Sequence, residues 1–252
     1  DFPMNIGAVI HWYETCTSTN DVAKALAQQG AREGTVVIAD EQTEGKGTKG
    51  RAWFSPRSRG LYVSVILRPP SGDVSLLPLV AGLAAAEAVR STVGLEAELK
   101  WPNDVVWNGK KIGGILCESE FVGEETRFVV LGIGLNISQS RKDFPPAIRP
   151  QAASLRMILK RDMDSERLEQ SLFERLDWWY GKFVQGERAE ILRAFEAKLT
   201  FPIGKVVIVR REKETLAGTF RGFDLRARMI LEKDDREIFL SPAEILGLGY
   251  DT

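Results

Sequence analysis

Asn108-Gly109 stands between two short apolar runs, Val105-Val106-Trp107 on one side and Ile112 with its flanking lysines on the other. Asn-Gly suits the positive φ angles of a two-residue turn, so it commits the middle of the chain to a tight antiparallel hairpin. Just upstream is Trp101-Pro102. Proline lacks an amide donor and disfavours helix in the residue before it, so a short strand at 97–100 has to end there. The second hairpin arm continues over 113–118, and 128–135 reads as a further buried strand.

Other elements gather around this nucleus. Residues 6–14 read as strand, and Ser18 and Asp21 have the spacing of a capping box. Val22 and Leu26 fall on one face of the helix that follows, which Gly30 closes. Residues 35–39 and 61–68 read as strands, the second with Leu61, Val63, Val65 and Leu67 on one face. The stretch between them, 40–60, is too long for a hairpin and has the length of a functional or mobile loop. An alanine-rich helix is expected over 76–93. Two more follow the proline-rich stretch 144–150, one carrying Leu168, Leu172, Leu176, Trp179 and Phe183 at helical spacing and the other covering 188–199. Beyond Pro202 only short strands remain (205–210, 216–223, 229–233 and 237–240), the pattern of a small barrel.

Composition narrows the function classes. The 252 residues suffice for one large domain or a medium one with a small one. With 34 basic and 35 acidic residues the net charge is −1, which argues against a chain built to grip nucleic acid. Cys16 and Cys117 are too few for a disulfide framework, and a lone histidine, His11, gives no basis for a zinc site. The strongly apolar stretch 76–86 is too short to cross a bilayer, and no secretory leader begins the chain, so a soluble cytoplasmic protein is expected. The chain starts at Asp1 rather than methionine, so a fragment or processed form is expected, with something N-terminal missing.

Chemistry concentrates in a few places. Gly45-Lys46-Gly47-Thr48-Lys49-Gly50-Arg51 combines three glycines with three cations. Glycine lets backbone amides approach an anion and cations neutralise it. The string fits G-x-G-x-x-G, but Trp53-Phe54-Ser55-Pro56 will not start the helix a dinucleotide fold needs; Walker A also fails, since Arg51-Ala52 follows the second glycine. Taken alone, the loop fits a solvated linker as well as an anion cradle. Lys100-Trp101-Pro102-Asn103-Asp104 puts a cation, an aromatic, a rigid turn, an amide and a carboxylate in five residues, although a self-bonded turn explains the last two. Lys111 alone reads as a solvated hairpin lysine, whereas Gly113-Gly114 inside a strand points to close approach of a ligand. Ser18 and Thr19 offer two hydroxyls where a cap needs one, and Gly132, Gly134 and Asn136 thin the end of a strand.

In order and spacing, Ser18-Thr19-Asn20, Glu41-Gln42-Thr43 leading into the glycine loop and Trp53, Lys100 through Asp104, Lys111 with Gly113-Gly114, and Gly132 through Asn136 resemble the biotin–protein ligases. The resemblance covers 11–136, and the terminal strands are similar to that family's SH3-like C-terminal domain. It implies an α+β catalytic domain over 1–200, a mixed sheet flanked by helices, and a small SH3-like β-barrel over 201–252. The activity implied is that of an ATP-dependent ligase, which makes biotinyl-5′-AMP from biotin and ATP and passes biotin to a lysine of a carrier protein. Biotin is the substrate, ATP and Mg²⁺ the cofactors, and a biotin carboxyl carrier domain of a biotin-dependent carboxylase the partner. No nucleic-acid or membrane partner is implied for this chain; a homodimer through sheet edges would fit. The N-terminal helix-turn-helix that some members carry does not precede His11.

Position by position, the resemblance puts Ser18, Thr19, Asn20, Gln42, Gly45, Lys46, Gly47, Thr48, Lys111 and Gly114 at biotin. It puts Lys46, Lys49, Arg51, Trp53, Asn103, Asp104, Gly132 and Asn136 at ATP or the adenylate, with Asp104 at Mg²⁺. The resemblance makes Lys111 the catalytic residue. The family loop commonly has arginine where this chain has Lys46 and Thr48. Lysine keeps the charge but not the planar fork and threonine keeps neither, so a less tightly held intermediate is expected. Either Asp104 or the cationic surroundings would deprotonate the acceptor lysine. The rival readings are a lipoate–protein ligase, whose arginine-led triple-glycine motif is missing, the catalytic part of a bifunctional ligase and transcriptional repressor, and a silent interaction module.

Overall fold

The computed structural model describes residues 5–70 and 72–250; Asp1, on which the expectation of a missing N-terminal part rests, lies outside them. Seven strands form a mixed sheet in the order β1-β2-β3-β7-β6-β5-β4. They are β1 (Val9–Cys16), β2 (Thr35–Gln42), β3 (Gly60–Leu67), β4 (Glu98–Lys100), β5 (Asp104–Trp107), β6 (Lys110–Val122) and β7 (Glu125–Asn136). Among the described strands only β1 and β2 run parallel, because helix α1 (Thr19–Gln28) connects them. The turn between β5 and β6 is the hairpin expected from Asn108-Gly109, with φ of 44° and 71° at the two positions.

Helices cover both faces. On one, α1 packs Ala23 and Ala27 over Val37, Ile66, Phe128 and Val130. On the other lies the larger core beneath α2 (Leu77–Val93), α4 (Ser165–Val184) and α5 (Arg188–Glu196). Helix α2 is buried along nearly its whole length, as a helix apolar all round must be when it is enclosed by other elements. The two-sided cover corrects the alternation expected for β3, since every residue from Leu61 to Leu67 is buried. A short helix, α3 (Leu155–Leu159), joins the two expected after the proline-rich stretch, its N-terminus capped by the Ser154 hydroxyl, which accepts from Met157 N. One turn is too short to give a periodic signal.

The terminal strands form a second, wholly antiparallel sheet in the order β11-β10-β9-β8-β12: β8 (Val206–Arg210), β9 (Thr215–Phe223), β10 (Met229–Lys233), β11 (Arg236–Leu240) and β12 (Gly247–Tyr250). Among the described residues β11 and β12 do not pair with each other, so the sheet is open rather than the closed barrel expected. It packs directly on the first part of the chain. The Phe223 ring lies 5.7 Å from Trp101 and 5.8 Å from Phe195, and Leu99 exchanges backbone bonds with Lys198 and Thr200. No helix among the described residues is long and apolar enough to cross a membrane.

Candidate active site

The start of α1 supplies one wall. Ser18 has the extended backbone of an N-cap, but its side chain makes no cap hydrogen bond, so the expected capping box does not form. Thr19 N and Thr19 Oγ1 instead donate to Gln42 Oε1 at the end of β2, at 2.8 and 3.0 Å. Gln42 Nε2 donates to Ser55 Oγ, and Ser55 donates to the Trp53 carbonyl. Behind Thr19 and Asn20 lies Ser64, 0% exposed, whose Oγ is 2.6 Å from Asn20 Oδ1 and 2.8 Å from Thr19 Oγ1. Asn20 Nδ2 donates to Glu118 at 2.7 Å. Gly132 leaves room for this amide, since a Cβ there would sit 2.3 Å from Asn20 Oδ1. The sequence reading missed Ser64 and Glu118, although a hydroxyl inside the apolar run Val63-Ser64-Val65 was a signal for the first.

The glycine loop is folded back on itself. Gly47 N donates to Arg51 O and Trp53 N to Gly45 O, with a three-residue 3-10 turn over Thr48–Gly50. The Gly47 and Trp53 amides are therefore engaged within the loop, which corrects the picture of bare amides converging on an anion. A Cβ on Gly45 would lie 2.4 Å from the Trp53 carbonyl, so this glycine lets the loop close and does not face the cavity. Lys46 bonds Asp21 on the first turn of α1 at 2.5 Å, and this bond holds its ammonium above the ordinary lysine range. Arg51 donates to the Thr48 carbonyl and hydroxyl. Lys49 turns away and bonds the carbonyl of Ile245 in the terminal segment; burial, then Arg51, holds its ammonium below the ordinary range.

The floor is a pair of glycines. Gly114 on β6 and Gly134 on β7 face each other in register, and the Trp53 indole lies across both. A Cβ on Gly134 would meet Trp53 Nε1 at 2.5 Å, and one on Gly114 would meet Trp53 Cζ3 at 3.0 Å and Lys111 Nζ at 3.2 Å. The indole nitrogen is buried without a hydrogen-bond partner among the described residues. Lys111 Nζ sits 5.2 Å from the indole centroid and 2.6 Å from Asp104 Oδ1. The Lys111 backbone is pinned by Gln151 O and Ala153 N. Asn136, 4% exposed, donates to the carbonyls of Lys111 and Ala153 and accepts from Gln139. Asn103 and Ile115 bond reciprocally through the Asn103 side chain and backbone. Both asparagines thus brace the hairpin that presents Lys111, and this is the work their bonds do.

These pieces enclose one cavity of about 430 Å³. Ser18, Thr19, Asn20, Gln42, Lys46, Gly47, Thr48, Arg51, Trp53, Asn103, Asp104, Lys111, Gly114, Gly132 and Asn136 all line it; Gly45 and Lys49 do not. Lys100 lines it as well, a cation left out of the residue assignment drawn from sequence. Lys46, Arg51, Lys100 and Lys111 face Asp104 as the sole lining carboxylate among the described residues, so the cavity carries a surplus of positive charge in a protein whose net charge is −1. Such a cavity favours anions, and its opposite wall of hydroxyls and amides favours a polar ring.

Residues 12–136 match the model of the biotin/lipoate A/B protein ligase family. The chain is 30% identical over 244 residues to the bifunctional ligase/repressor BirA of Bacillus subtilis, covering 95% of this chain and 75% of that protein. It is 31% identical over 240 residues to the biotin–[acetyl-CoA-carboxylase] ligase of Mycobacterium tuberculosis, covering 92% and 86%. The solved structure of the biotin protein ligase from Aquifex aeolicus in complex with biotin and ATP superposes with a TM-score of 0.83 at 27% identity, covering 97% of this chain and all of that one. Agreement of family model, sequence and fold means that the chain belongs to the biotin–protein ligase family.

Proposed function

We propose that this chain is an ATP-dependent biotin–protein ligase. One observation carries the reading: Lys111 shares a cavity with the wall of Ser18, Thr19, Asn20 and Gln42. One cavity thereby offers both a cation and a polar wall, as a vitamin with a polar ring and an acid tail requires. Biotin-dependent isotope exchange between pyrophosphate and ATP tests substrate and reaction together. Lipoate as a competitor tests the nearest rival; exchange that depends on lipoate and not on biotin rejects the reading.

In this reading the ring lies against Ser18, Thr19, Asn20 and Gln42, and the acid tail runs past the Trp53 indole, which covers the Gly114–Gly134 floor, towards Lys111. The carboxylate attacks the α-phosphorus of ATP and pyrophosphate leaves. Two anions meet in this step, so fixed positive charge must stand where they converge. Lys111 supplies it, with Lys46, Lys100 and Arg51 around the phosphates. Lys49 stays outside the site, and Asn103 and Asn136 act through the hairpin they brace.

Mg²⁺ fits this donor set, since it is commonly held by one or two carboxylates with phosphates and water, and Asp104 would be the protein's contribution. When bound, the metal would neutralise phosphate charge.

In the second step the amine of the carrier lysine attacks the acyl carbon and AMP leaves. The lysine must first lose a proton from a group whose ordinary pKa is about 10.4. Four cations line the cavity against one carboxylate, so the cationic surroundings favour the neutral amine. A thioester route through the protein finds no ready thiolate. Burial, then the charge of Glu118, pushes the Cys117 thiol up to about 12, and burial, then Asp21, raises Cys16.

The carrier is a biotin carboxyl carrier domain of a carboxylase, and the setting cytoplasmic. We read 1–200 as the catalytic domain and 201–252 as an SH3-like unit. The strand order supports this, with β12 returning to β8 after the 3-10 turn Pro242–Glu244. Dimerisation through sheet edges is compatible with this fold.

A further inference from the structure

Ser64 and Glu118 do not line the cavity, yet they hold Thr19 and Asn20, which do. Glu118 fixes the orientation of the Asn20 amide. A carboxylate only accepts, so the Asn20 atom 2.7 Å from Glu118 Oε2 must be the amide nitrogen. The amide oxygen then faces Ser64, whose single hydroxyl hydrogen must point to it. With that hydrogen committed to Asn20, the Ser64 oxygen 2.8 Å from Thr19 Oγ1 can only accept, so the Thr19 hydroxyl hydrogen is shared between Ser64 Oγ and Gln42 Oε1. Gln42 is oriented in turn, since its oxygen takes Thr19 N and its nitrogen gives to Ser55.

Rotating the Asn20 amide by half a turn would set its oxygen 2.7 Å from a carboxylate oxygen, two acceptors with no hydrogen between them, and would take away the acceptor that Ser64 reaches at 2.6 Å. The wall is therefore locked in one polarity. Glu118 takes one Nδ2 hydrogen, and the second remains for whatever occupies the cavity. Packing alone does not explain Ser64, which is fully buried among valines and isoleucines of β3, where an apolar residue would serve. The missing side chain at Gly132 is a third constraint on the same amide.

We propose that Ser64 and Glu118 are positioning residues that determine specificity. By locking the Asn20 amide they make the wall present a donor, so the site prefers a ring with an acceptor oxygen over one with a donor nitrogen in its place. The inference rests on the reading of this cavity as the biotin site. Biotin and 2-iminobiotin differ in the required way, because the analogue carries nitrogen where biotin carries its ureido carbonyl oxygen.

The test is pyrophosphate–ATP exchange by the full chain with each ring compound at one pH, for wild type, Ser64→Ala and Glu118→Gln. Wild type prefers biotin. In each variant the biotin-to-iminobiotin ratio of kcat/KM falls about tenfold, the size of one hydrogen bond's worth of discrimination, while KM for ATP is unchanged. A role confined to stability lowers both rates together and leaves the ratio alone; a ratio within about twofold of wild type overturns the proposal. Glu118→Gln changes almost no volume on a half-buried residue and gives the Asn20 amide a partner that can donate as well as accept, so either amide orientation is satisfied and it carries the test if Ser64→Ala fails to fold. Wild type with no biotin-dependent exchange overturns the functional reading itself, whereas intact exchange with an unmoved ratio overturns this inference alone.

Discussion

Gly134→Ala adds one methyl group to the floor of the cavity. The backbone at Gly134 is not in the left-handed region, so alanine is acceptable to the chain itself and the effect comes from what the methyl meets. An added Cβ would lie 2.5 Å from Trp53 Nε1, 2.6 Å from Cε2 and 2.9 Å from Cζ2. Ordinary contacts between such atoms lie at about 3.5–4.0 Å, so the indole has to retreat by about 1 Å. It cannot do so without disturbing Lys111, which sits over its ring and against Gly114. Overpacking of this kind destabilises by about 1–3 kcal/mol, which lowers Tm by about 2–4 °C per kcal/mol in a chain of this size. Displacing a reacting group by about 1 Å lowers the rate by about a hundredfold. Biotin-dependent pyrophosphate–ATP exchange and thermal unfolding measure the two effects separately. Gly249→Ala is the control, because a Cβ there meets nothing within 4 Å. A Gly134→Ala protein that exchanges within about twofold of wild type would falsify the claim that the indole is held on the glycine pair.

Lys111→Ala should lower exchange by about 10²–10³, the usual effect of removing one donor from developing negative charge, while biotin binding measured by calorimetry weakens less; undiminished pyrophosphate release removes the residue from its role. Thr48→Arg should retain the intermediate better, because a planar fork replaces a hydroxyl that now only accepts from Arg51; equal leakage of biotinyl-AMP from both proteins in a quench assay rejects this. Burial holds the Glu196 carboxyl above its ordinary 4.5, against the pull of the Phe223 amide that it accepts from. Folding therefore penalises the charged form at neutral pH, and the penalty fades as pH falls through the folded-state pKa towards 4.5. Glu196→Gln keeps the acceptor, so it should melt above wild type at neutral pH with the gap closing on acidification; a lower neutral-pH Tm contradicts the sign.

Local chemistry was legible in the amino-acid sequence wherever one or two residues dictate the backbone. Asn108-Gly109 could hardly be anything but a tight turn, and the runs of β-branched residues lay in strands because their side chains favour that conformation. The ordered motifs also pointed to most of the cavity lining, since glycines in a strand and lysines beside them mark places where a backbone must be approached and a charge met. What the sequence left undecided depends on partners far apart along the chain. Asp21 was spaced to complete a capping box, but Lys46 claims its carboxylate across 25 residues. Asn136 resembled a nucleotide contact, but its amide is engaged by carbonyls of Lys111 and Ala153. Ser64 and Glu118 carry no motif, and only the packing of β3 and β6 beside α1 makes them the pair that orients Asn20. Periodicity and turn signals report what a residue prefers by itself; which of several acceptors a donor finds is decided by distances that exist only once the sheet has closed.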